Sequence, residues 1–193
     1  MSLDHALLVS LLEKPSSGYE LARRFDRSIG YFWHATHQQI YKVLARMEEA
    51  GWVAARVEAG ESAPDRKLFS VSAGGRAELG RWLAERSDPE GVRDALMVKL
   101  RAAAFDDPLR LLPELEHHRA AHANRLTAYR VIESRDFAGL QDTAFGVRDR
   151  QRALQYQVLK SGIRFEQGWL EWCEETIKLL RSFEQDPPRR EKT

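Results

Sequence analysis

Residues 36–57 read THQQIYKVLARMEEAGWVAARV, and the spacing of their apolar positions changes partway along. Up to Gly51 the apolar residues Ile40, Tyr41, Leu44 and Met47 recur at helical spacing, with Gln38, Gln39, Lys42 and Arg46 on the opposite face. Thr36 suits the N-cap of that helix and Gly51 its stop. From Trp52 to Val57 the chain turns apolar and β-branched, and Lys67–Val71 is a second strand candidate. Between them Glu58–Asp65 holds Gly60 and Pro64, so the pair predicts a β-hairpin.

Two further helices precede this stretch. Leu3, Leu7, Leu8, Leu11 and Leu12 predict an amphipathic helix that stops at Lys14-Pro15. Ser17-Gly18-Tyr19-Glu20 reads as a capping box opening a second helix through Leu21, Ala22, Phe25 and Ile29 to Gly30. After the hairpin, Ser72 or Ala73 opens a fourth helix with Leu79, Trp82 and Leu83 on its apolar side. Three helices followed by a hairpin is the order of a winged helix-turn-helix, whose third helix enters the DNA major groove while the wing lies along the backbone.

The loop-forming run Ser87–Gly91 marks a boundary, giving a first domain over 1–86, a second over 91–184 and a frayed tail over 185–193. The second domain reads as all-helical. One helix is expected over Val92–Phe105, and Pro108 is expected as the first helical residue of the next, which runs through Leu115, Tyr129 and Ile132. The last helix, from about Arg150 to Phe183, carries two apolar stripes. One is Leu154, Val158, Phe165, Trp169, Trp172, Leu179 and Phe183; the other is Leu159, Ile163, Leu170, Cys173, Ile177 and Leu180. So wide a band exceeds what one neighbouring helix covers, so it sits in a bundle or meets another copy of the chain. The fold class is therefore mainly α, an N-terminal winged helix-turn-helix with a two-stranded wing and a C-terminal long-helix dimerisation domain.

Composition narrows the function. With 43% hydrophobic residues among 193, the chain has material for a core, and no apolar run approaches the ~20 residues of a membrane span. The start lacks the basic and apolar regions of a signal peptide, and one cysteine allows no internal disulfide, so a cytoplasmic location is expected. A net charge of +1 excludes proteins that coat polyanions and leaves locally basic readers. Between Lys14 and Met47 the cations Lys14, Arg23, Arg24, Arg27, Lys42 and Arg46 face only Glu20 and Asp26. Double-stranded DNA is the expected partner. Thr36, His37, Gln38, Gln39, Tyr41, Lys42 and Arg46 are its candidate contacts on the third helix, with Arg66 and Lys67 on the wing. Gln pairs bidentately with adenine, and Arg or Lys with guanine or phosphate.

Three motifs in this half resemble the PadR family of bacterial transcriptional regulators. Gly18-Tyr19-Glu20-Leu21 is similar to the family's second-helix motif, and residues 39–51 to its recognition helix. Residues 66–76 resemble its wing strand and the start of its fourth helix. Lys42 stands where many members carry Pro, and it is expected to add a phosphate contact. Leu159-Lys160-Ser161-Gly162-Ile163, followed by Phe165–Trp172, resembles the helical domain of the PadR branch that includes virulence activators. That likeness implies an antiparallel coiled-coil-like homodimer, with Phe165, Trp169, Trp172 and Leu179 as its candidate contacts. The function expected is a dimeric repressor on an inverted-repeat operator. The alternative is a winged-helix protein-interaction or ligand-sensing module that does not read DNA.

Other constellations carry less. Glu114, His118 and His122 share one helix face at metal-chelating spacing, but the pattern lacks the Glu of a His-Glu-x-x-His site and is read as a solvated polar face; no metal or cofactor is expected. Trp33, Trp52, Trp82, Trp169 and Trp172 are read first as core or interface anchors, with a small aromatic effector near Trp82 and Trp33 as a weaker candidate. Cys173 is read as an inert buried thiol. Neither a nucleophile elbow nor a phosphate-cradling loop occurs, so no catalytic residue is assigned and an enzyme is not expected.

Overall fold

The structure is a computed structural model that describes residues 3–26, 35–58, 66–89, 91, 93–138 and 147–185. The expected end of the second helix at Gly30, the wing loop after Glu58, Trp33 and most of the C-terminal tail lie outside the described residues. The chain divides into two compact units, residues 1–90 and 91–193.

In the first unit, α1 (Leu3–Glu13), α2 (Gly18–Asp26) and α3 (His37–Glu49) precede the hairpin strands β2 (Val53–Glu58) and β3 (Arg66–Val71), and α4 (Ala73–Ala84) follows. A two-residue strand, β1 (Ser16–Ser17), adds to the hairpin, so the sheet has three strands in the order β1-β3-β2 rather than the two expected. Both pairings are antiparallel; Ser16 faces Phe69, and Val53–Glu58 runs against Val71–Arg66. Leu7, Leu8 and Leu11 of α1 meet Leu21, Ala22 and Phe25 of α2 and Ile40, Leu44 and Met47 of α3, closed off by Val53 and Phe69. Leu83, expected inside, is 72% exposed; α4 instead packs through Trp82, which stacks on the buried His5 ring at 4.5 Å. His5 also hydrogen-bonds Glu78 at 3.1 Å, and hydrogen bonds led by that from Arg81 hold the Glu78 carboxyl down at about 2.

The turn from α3 into β2 is sterically demanding. Gly51 adopts φ +71°, which favours glycine, and ends α3. Ser72 caps α4 by accepting from the Gly75 N–H and donating to the Gly51 carbonyl. This draws Gly75 so close to β2 that a Cβ there would lie 2.1 Å from the Trp52 carbonyl oxygen, a backbone atom that cannot swing aside. Gly75→Ala is therefore expected to cost about 2 kcal/mol, an overpacking penalty, readable as a lower midpoint in urea denaturation.

The second unit opens with α5 (Ala95–Ala102), shorter than the helix expected over 92–105 because Asp94 caps it at the Leu96 N–H and a 3-10 turn, Ala103–Phe105, ends it. Pro108 begins a second 3-10 turn, Pro108–Leu111, capped by Asp107, rather than the long helix itself. The two long helices α6 (Leu112–Asp136) and α7 (Val147–Gln185) then run antiparallel. Contacts from Glu116–Arg181 through His122–Glu166 to Glu133–Tyr156 mark that direction. Leu96, Leu111, Leu115, Ile177 and Leu180 form the core, with Trp169 and Trp172 packed against it. Cys173 is fully buried, and burial pushes its thiol pKa up. The polar face expected for Glu114, His118 and His122 is corrected at His122, which is only 5% exposed. His122 Nδ1 lies 2.5 Å from the equally buried Glu166, and its ring stacks on Trp169 at 4.8 Å. Among the described residues no His/Cys/Asp/Glu group could hold a metal ion, and no helix is long and apolar enough to cross a membrane.

Candidate nucleic-acid interface

The exposed face of α3 begins at a reciprocal cap. The Thr36 hydroxyl accepts from the Gln39 N–H at 3.2 Å, while Gln39 Oε1 accepts from the Thr36 N–H at 2.8 Å and from its hydroxyl at 3.2 Å. His37, Gln38, Tyr41, Lys42 and Arg46 are all exposed along the face that follows. Gln38 and Lys42 make no side-chain hydrogen bond or ion pair with another described residue. Tyr41 rests on α2. A Cβ at Gly18 would come within 2.5 Å of the Tyr41 ring, so glycine at that position lets the two helices close. The capping box expected at Ser17 is formed as well. Glu20 accepts from both the Ser17 N–H and hydroxyl, and these bonds, led by the backbone one, lower its pKa.

The cations that sequence reasoning selected are not equally available. Arg46 reaches back from α3 to Asp4 of α1, a buried carboxylate 2.5 Å away. Arg66 bridges Glu20 at 3.1 Å and Glu58 at 3.2 Å, joining the root of the wing to the start of α2. Lys67 pairs with Glu48 at the end of α3, at 2.6 Å. Arg24, counted among the local cations, is spent on the α1–α2 turn, where it donates to the Ser10 and Lys14 carbonyls and to the hydroxyls of Ser10 and Ser16. Sequence reasoning placed Glu20 in a capping box and identified none of these carboxylates as the partner of a candidate DNA contact. Asp4 left a signal, an acidic residue in the first turn of a Leu-rich helix; Glu48 and Glu58 left none.

In the second unit the two stripes of α7 part company. Ile163, Cys173, Ile177 and Leu180 face the chain's own core, whereas Leu154, Val158, Phe165, Leu179 and Phe183 are exposed. Phe165 is 60% and Leu179 54% exposed, but Trp169 and Trp172 are half-buried against their own chain.

Helices α1 to α3, the hairpin after them and the exposed polar face of α3 define a winged-helix protein. The chain belongs to the PadR-like family of transcriptional regulators. It matches that family over residues 7–81 and the C-terminal α-helical domain of virulence activators over residues 92–181. It is 44% identical over 192 residues to "Probable transcriptional regulator Rv1176c" of Mycobacterium tuberculosis, covering 94% of this chain and 98% of that one. It is 25% identical over 187 residues to the "Negative transcriptional regulator PadR" of Bacillus subtilis, covering 92% and 97%. That protein's crystal structure with operator DNA shares the fold at a TM-score of 0.75 with 21% identity, covering 92% of this chain and 98% of that one. Another of its structures holds p-coumaric acid. The Vibrio cholerae virulence activator AphA also aligns at a TM-score of 0.75, with 27% identity over 94% of this chain and 99% of that one.

Proposed function

We propose that this transcriptional regulator is a homodimeric repressor that reads an inverted-repeat operator. Residues 1–86 would bind DNA and residues 91–184 would hold the two copies together. The observation that carries the reading is the open polar face of α3, where Gln38 and Lys42 pair with no other described residue, ahead of a wing bearing Lys67. The exposed stripe Leu154, Val158, Phe165, Leu179 and Phe183 supports self-association, since its intervals are fours and multiples of seven along a helix whose other face is already covered. Phe165 and Leu179 are the primary contacts across the seam; Trp169 and Trp172 back them from within each chain. Selection from random duplexes tests the reading. It should recover two symmetric half-sites with centres ~34–36 Å, or a multiple of that, apart along the DNA. Failure to enrich any sequence favours the protein-binding alternative.

Within the reading head, the ion pairs divide the cations into two roles. Among the described residues Lys67 pairs with the carboxylate of Glu48 and lies 5.3 Å from the Phe69 ring centre; the exposed ion pair is worth at most about 1 kcal/mol, and a phosphate can displace it. Arg46 pairs with the buried Asp4, so its loss takes an ion-pair partner from a buried carboxylate. Lys67→Ala is expected to weaken all duplexes alike and to reduce the salt slope of binding by about one phosphate contact, with a stability change below about 1 kcal/mol. Arg46→Ala is expected to lower the denaturation midpoint as well as DNA affinity. Equal effects of the two substitutions on stability would contradict the division. A small aromatic acid is the candidate effector, acting only through unequal affinity for the DNA-competent and DNA-released states. Tryptophan fluorescence across a panel of aromatic acids, followed by DNA-release assays, identifies such a compound.

A further inference from the structure

Two adjacent glutamines open the recognition helix, and their amides are in different chemical situations. Gln39 closes the reciprocal cap on Thr36, its Oε1 accepting from the Thr36 N–H at 2.8 Å and the Thr36 hydroxyl at 3.2 Å. Reading adenine takes both ends of an amide, an acceptor for the N6 amino group and a donor for N7. With its acceptor committed, Gln39 retains only donors. A lone donor meets acceptors on adenine, guanine and thymine alike, so it cannot tell them apart. Freeing Oε1 would leave the Thr36 N–H without that partner and open one side of the capping box. Gln38 is exposed, one position nearer the helix start, and both ends of its amide are free of other described residues.

Resting on the reading of the protein as a DNA-binding regulator, we propose that Gln38 is the residue of α3 that discriminates an adenine in the operator, and that Gln39 is a positioning residue that fixes the helix end presenting it. The half-site accordingly contains an adenine whose identity depends on Gln38 alone. Gln39 contributes to affinity for every sequence equally, through the geometry of the first turn. Glutamate fits the same cap, because its carboxylate accepts from the Thr36 N–H and suits the positive end of the helix dipole.

The experiment is selection of duplexes from a random library with the wild-type chain and with Gln38→Ala, Gln39→Ala and Gln39→Glu. Affinities for the recovered wild-type sequence and its single-base variants, and thermal midpoints, are then measured. Gln38→Ala is expected to keep the wild-type midpoint and to lose about tenfold in preference for adenine at one position of each half-site. Gln39→Ala is expected to lower the midpoint by about 3 °C and to bind all the variants more weakly by one common factor, with the base profile unchanged. Gln39→Glu is expected to restore the midpoint and keep the profile, with a uniform loss of affinity from its charge. A profile changed at one position by Gln39→Ala, or left intact by Gln38→Ala, overturns the assignment. The wild-type selection separates the two levels. If it enriches no sequence, the DNA-binding reading fails; if it enriches one and the variants behave otherwise than stated, only this assignment fails.

Discussion

Replacing Phe165 and Leu179 together with glutamate yields a monomer at micromolar concentration that no longer binds duplex DNA with measurable specificity. Both side chains are more than half exposed on the outer stripe of α7, so the change leaves the chain's own core intact. Four charges placed along a two-fold seam, two from each copy, put like charges into an apolar interface and remove the contacts that hold it. Operator affinity falls with dimerisation because a single reading head engages one half-site, while the dimer holds two at a fixed spacing. Sedimentation velocity gives the assembly state, and circular dichroism gives a helix content equal to that of the parent. Trp172 is the wrong place for this test. It packs on the core formed by Leu96, Leu111, Leu115, Ile177 and Leu180, so a charge there would unfold the unit as well as part the copies.

Glu166→Ala is expected to cost about 4 kcal/mol of stability, the scale on which breaking a buried ion pair destabilises a protein. Glu166 is 4% exposed on α7 and receives Arg125 Nε at 3.0 Å on one oxygen, with His122 Nδ1 2.5 Å from the other. Removing it takes the carboxylate from the buried His122 ring, which stacks on Trp169, and leaves the Arg125 guanidinium 2.9 Å from Nδ1 with no negative charge between them. Replacing both members with apolar residues of similar size, His122→Leu with Glu166→Met, should recover at least half of the loss, because no buried polar group is then stranded. Urea denaturation at one fixed protein concentration measures all three proteins, since association contributes to the apparent stability. A loss under 1 kcal/mol for Glu166→Ala would show that the cluster is solvated in solution.

What the sequence disclosed follows from which signals are local. The start of α3 at Thr36 and its end by Gly51 were readable because cap and stop residues act within one turn, and the hairpin because its strands carry β-branched residues between turn formers. The strand β1 was not readable. Two serines have no period, and they pair only because Phe69 and Leu68 arrive from far along the chain. His122 was misread for a similar reason. Its neighbours Arg119 and Arg125 at i±3 and His118 at i−4 are polar, and only the approach of Glu166 and Trp169 from α7 turns that face inward. The double stripe of α7 announced that the helix had two apolar partners, but which stripe faced the chain itself depended on α5 and α6. At the recognition helix the residue types were legible and their division of labour was not. Thr36-x-x-Gln39 has the form of a capping box, yet from residue types alone both glutamines look equally fit to read a base. The carboxylates that hold Arg46, Arg66 and Lys67 lie on other elements or across the hairpin, beyond the reach of sequence spacing.

The most direct test of the account is fluorescence anisotropy of the full chain titrated into a labelled duplex carrying the selected sequence, with a random duplex as competitor, from about 50 to 200 mM salt. The account predicts binding that survives at least a hundredfold excess of competitor and weakens steeply with salt, with a log–log slope of several units shared between two reading heads. Binding that is indifferent to salt, or that an equal mass of random duplex abolishes, would contradict it.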